Sequence, residues 1–147
     1  MTTRPAGPTW SGPTLAGVVL VVGAVLGACG GRAANGTPSS LSLGGTTVAT
    51  ADVEQQLGTL CPVLSRAGSD PGGAETPFYA GPHGALHVLT AVLASGHRVQ
   101  SDAMLKSMLS FEQALTARSP SAGQAGAALL ATVNDGQRAL RIPVTTC

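Results

Sequence analysis

Hydrophobic and polar positions divide the chain into three parts. Leu15 to Leu26 (LAGVVLVVGAVL) is one unbroken apolar run, preceded by a polar stretch holding Arg4, Pro5, Pro8 and Pro13. Gly30 to Val48 (GGRAANGTPSSLSLGGTTV) shows neither the helical nor the strand period and reads as a flexible Gly/Ser/Thr tether. As a coil it would span roughly 25 Å. From about residue 50 onward, apolar residues recur at helical spacing.

The first predicted helix starts at Thr50, a capping residue type, and carries Asp52 and Glu54 in its first turns. Its apolar stripe is Val53, Leu57, Leu60, Cys61 and Leu64. Pro62 lacks an amide donor and presses on the carbonyl of Gly58, which predicts a kink or break there, and Gly68 ends the segment. Ser69 to Thr76 (SDPGGAET) reads as turn material. A second helix is predicted from near Pro77 or Pro82 to about Ser95, with Leu86, Leu89 and Leu93 facing inward; Phe78 to His83 could instead form an irregular loop. The third runs from about Ser101 to Arg118 on Met104, Met108, Phe111 and Leu115. The fourth runs from about Ala122 to Leu140 on Leu129, Val133 and Leu140, with Gly126 and Gly136 small enough for close helix packing, before Pro143. The predicted fold is all-α, a small antiparallel bundle of about four helices joined by short loops.

The apolar run near the N-terminus is short of the roughly 18 to 20 residues that cross a bilayer and suits the core of a cleavable signal peptide. Directly after it stands Leu26-Gly27-Ala28-Cys29. This tetrapeptide resembles the lipobox of bacterial lipoproteins, whose pattern is Leu, small, small, Cys. The resemblance implies a diacylglyceryl group on the Cys29 sulfur and cleavage before Cys29 by a signal peptidase that recognises Leu26, Gly27 and Ala28. The mature chain would then be held on the extracytoplasmic face of the cell membrane. Only a thiolate is nucleophilic enough to form the thioether, and two acyl chains make a stable anchor where one is marginal. The expected organisation is a signal peptide over 1–28, lipidated Cys29 and tether over 29–48, and a helical domain over 49–147.

Composition narrows the functional classes. Aromatics are 3% of 147 residues, so the core must come from Leu, Val and Ala. Charged residues are 10% with a net charge of +1, which lacks the basic excess that nucleic-acid binding requires. All of the basic residues but Lys106 are arginine, and Ala and Gly abound, a bias that looks like a GC-rich bacterial genome, so that with its lipobox the chain resembles small lipoproteins of GC-rich bacteria. With Cys29 lipidated, Cys61 and Cys147 remain in an oxidising compartment, and a disulfide between them is the natural pairing. A buried free Cys61 or a reactive thiol are the alternatives.

His83 and His87 (HGALH) are four residues apart, which puts both imidazoles on one helix face at a spacing metals accept. The motif lacks the glutamate that follows the first histidine in zinc proteases, so hydrolysis is not suggested. If the helix persists past Ser95 and Gly96, His97 would share a stripe of His83, His87, Thr90, Ala94 and His97, facing away from Leu86, Leu89 and Leu93. An ordinary polar face with solvated histidines is the competing reading. The carboxylates Asp52, Glu54, Asp70, Glu75, Asp102, Glu112 and Asp135 are scattered and read as solvated surface. Phe78 and Tyr79 read as core residues, or else as an exposed contact point. No nucleophile elbow, phosphate loop or dinucleotide fingerprint occurs. The expectation is a non-enzymatic envelope module without a cofactor other than its lipid, binding an envelope protein or another envelope component. The alternative is a small-ligand or metal carrier with a pocket near His83 and His87.

Overall fold

The computed structural model describes residues 36–147. The expected signal peptide, its recognition residues Leu26, Gly27 and Ala28, and the lipidation site Cys29 lie outside the described residues. The elements are β1 (Ser40–Leu43), β2 (Thr46–Ala49), α1 (Thr50–Gly58), α2 (Leu60–Ser69), α3 (Pro71–Ala80), α4 (Pro82–Ala94), α5 (Arg98–Thr116) and α6 (Ala122–Ala139). The fold is mostly helical, with one small two-stranded sheet, as an all-α bundle reading anticipates.

The hairpin corrects the part of the tether expected over 29–48 that runs from Ser40 to Val48. Strands β1 and β2 pair antiparallel with Leu41 opposite Val48 and Leu43 opposite Thr46. The two-residue turn between them is Gly44-Gly45, with φ of 52° and 89°, a left-handed geometry that glycine adopts without strain. Leu41 is buried, and β1 rests on α4 and α1, so the folded body begins at the hairpin rather than at residue 49. Thr50 ties the two parts together: its Oγ1 donates to the Pro38 carbonyl at 2.6 Å.

The first predicted helix is two. Helix α1 ends at Gly58, and α2 starts at Leu60, which places Pro62 in the first turn of α2, where a missing amide donor costs nothing. The stretch expected to be turn material is instead the start of α3. Asp70 caps it, its carboxylate accepting from the Gly73 amide at 2.9 Å, and Pro71 takes the first helical position. Ala74 and Phe78, one turn apart, are both fully buried, and that burial holds a Gly-Gly-containing segment in a helix. Phe78 therefore belongs to a helix and not to a loop, and the next helix starts at Pro82 rather than Pro77.

Helix α4 is central, touching α1, α3, α5, α6 and β1. Its buried residues, Pro82, Ala85, Leu86, Leu89, Thr90, Val92 and Leu93, cover most of its circumference, as a helix enclosed by others requires. Helices α5 and α6 follow the predicted stripes: Met104, Met108, Phe111 and Leu115 on one, Leu129 and Val133 on the other, are buried. Gly136 lets α6 approach closely, because a Cβ there would lie 2.6 Å from Met104 Cε and 2.8 Å from Leu93 Cδ1. The C-terminal tail is fixed rather than free. Ile142 is buried, the Thr145 amide donates to buried Gln137 Oε1 at 2.9 Å, and Cys147 is joined to Cys61 by a disulfide with Cα atoms 5.2 Å apart.

Candidate functional site

The site begins with Phe78 and Phe111, both fully buried, whose rings meet edge to face with centroids 5.1 Å apart. This contact brings the end of α3 and the middle of α5 to the first turns of α4. His83 lies one turn before Leu86, at the rim of the buried face, and its ring meets Phe78 at 5.4 Å and Tyr79 at 4.9 Å. Glu112 follows Phe111 on α5 and so emerges at the same rim. Because Phe111 must point inward, Glu112 is turned toward His83.

The result is a compact cluster. His83 Nε2 is 3.0 Å from Glu112 Oε1 and 3.2 Å from His87 Nε2. One potential ligand atom from each of His83, His87 and Glu112 lies within 4.8 Å of the others. The His83 and Glu112 side chains are 25% and 21% exposed, whereas His87 is open to solvent, so the cluster sits at the surface with one side reachable. Desolvation raises the Tyr79 phenol above its ordinary value, and the nearby Glu112 and Glu75 carboxylates add to the rise, so it meets His83 as a neutral ring.

The predicted pair of His83 and His87 is thus brought together, and the structure adds Glu112, which the sequence reading left among solvated carboxylates. No spacing signal could have found it, since it approaches from another helix. The longer histidine stripe is corrected. Helix α4 stops at Ala94, His97 precedes α5, and Thr90 is buried, its Oγ1 donating to the Leu86 carbonyl at 2.6 Å. Asp70 is likewise a helix cap rather than plain surface. Asp102 and Asp135 stay exposed beside Arg98 and Arg138. Phe78 is core and Tyr79 is 44% exposed, so the two adjacent aromatics divide between the two roles considered for them.

Among the described residues no helix is long and apolar enough to cross a membrane. No family model, curated protein or solved structure matches this chain.

Proposed function

We propose that the chain is a lipid-anchored module of the bacterial cell envelope, displayed on the extracytoplasmic face and binding an envelope protein or another envelope component rather than catalysing a reaction. The observation that carries this reading is the covalent clip between Cys61 and Cys147, a bond that persists in oxidising compartments, in a chain whose apolar run Leu15 to Leu26 is signal-like and leads into Gly27-Ala28-Cys29. The cysteines then divide into one for lipid and two for the fold. Support for a partner-binding role comes from α5, where Leu105 and Leu109, one turn apart, are 42% and 55% exposed and Leu109 lines a shallow groove with Tyr79.

The test is Cys29→Ala in a bacterial host that lipidates exported proteins. The expected outcome is loss of palmitate labelling and accumulation of the uncleaved precursor, because thioether formation precedes cleavage in lipoproteins. Unchanged labelling or normal cleavage would overturn the reading.

A further inference from the structure

We infer that His83, His87 and Glu112 form a binding site for a divalent late first-row transition metal ion, with zinc as the reference ion, using two imidazole Nε2 atoms and one carboxylate oxygen. Three observations carry this. First, the spacing fits: two ligands at zinc bond lengths of about 2.0–2.1 Å in tetrahedral geometry lie about 3.3–3.4 Å apart, and the two shortest pairs here are 3.0 and 3.2 Å. The third pair, His87 with Glu112, lies within 4.8 Å, and His87 is exposed.

Second, the contacts around His83 Nε2 compete for a single site. Both Glu112 Oε1 and His87 Nε2 stand at hydrogen-bonding distance from that nitrogen. A neutral imidazole nitrogen offers either one N–H or one lone pair. If it donates to Glu112, it has no lone pair left for a hydrogen on His87. If it accepts from His87, it has no hydrogen for the carboxylate. At best one hydrogen is shared between the two. A metal ion resolves the conflict by accepting one lone pair from each of the three atoms at once.

Third, the ligand that matters most is already held in place. The edge contacts of His83 with Phe78 and Tyr79 fix its ring, and Phe78 is locked in the core against Phe111. Imidazole and carboxylate together suit zinc and its neighbours rather than calcium or magnesium, which prefer all-oxygen sets. Three protein ligands at a solvent-facing rim leave a further coordination position open to water or to a donor group from a ligand or partner. The site is independent of the lipid anchor, and either conclusion can fail without the other.

The experiment titrates the purified full-length chain, in mild detergent and with Cys29 alkylated, with Zn²⁺ by calorimetry and with Co²⁺ by visible absorption. The same titrations are run on His87→Ala and Glu112→Gln. His87 is exposed, so its loss leaves the core intact, and circular dichroism checks both variants. The expected result is one equivalent bound, a tetrahedral-type Co²⁺ spectrum, and affinity weakened by about tenfold or more in each variant, since even second-shell changes at metal sites cost about 10–100-fold. Absence of stoichiometric binding, or binding unchanged in both variants, would overturn the site.

Discussion

Gly136 shows how a single missing methyl group sets the distance between helices. With Met104 Cε and Leu93 Cδ1 already inside the space a Cβ would take, Gly136→Val must displace α6 or force both side chains off their rotamers. Overpacking of this kind costs about 1–3 kcal/mol, and the expected outcome is a clearly lowered denaturant midpoint in equilibrium unfolding of the variant. An unchanged midpoint would mean that α6 does not pack as described. The same scale explains why the role of Gly136 was legible and that of Glu112 was not. Gly136 lies within its own helical stripe, between Val133 and Leu140, and its smallness is visible locally. Glu112 gains its meaning only from a histidine 29 positions away on another helix. Sequence spacing records neighbours along one helix, and the meeting of α4 with α5 depends on how Phe78 and Phe111 pack.

At the scale of elements, α3 is the informative case. Gly72, Gly73 and Pro77 argue for a turn by local propensity, yet the segment is helical because Asp70 and Pro71 start it and Ala74 and Phe78 bury one face. The propensity deficit is met by capping and core contact. Asp70→Ala should therefore cost about 1 kcal/mol, typical of a lost N-cap. A thermal melt should show the midpoint falling by several degrees, whereas an unaltered melt would mean that the cap carries no weight. The hairpin is hard to read in the sequence for the opposite reason. Its strands are short and rich in Ser and Thr, so Leu41 and Leu43 alternating before Gly44-Gly45 gave little apolar contrast, even though paired glycines between short runs are a hairpin signal. The stripes of α4, α5 and α6 were legible because each carries several large apolar residues with a consistent period.

At the scale of the whole molecule, a modest core poor in aromatics is closed by a covalent link between Cys61 in α2 and Cys147 in the C-terminal tail. The disulfide spans 86 positions, and constraining a loop of that length in the unfolded chain contributes up to roughly 4.5 kcal/mol by the loop-entropy account. That is a large share of the ~5–15 kcal/mol total of an ordinary domain. The central claim is that one cysteine serves the membrane and two serve the fold, and a single mass measurement tests both halves. The chain is recovered from envelopes of the lipidating host without reductant, and its intact mass is taken before and after reduction. The account requires a chain that starts at Cys29, heavier than residues 29–147 by at least a diacylglyceryl group, which gains two hydrogens on reduction. A chain that still carries residues 1–28 with Cys29 unmodified, or one whose mass does not change on reduction, would contradict it.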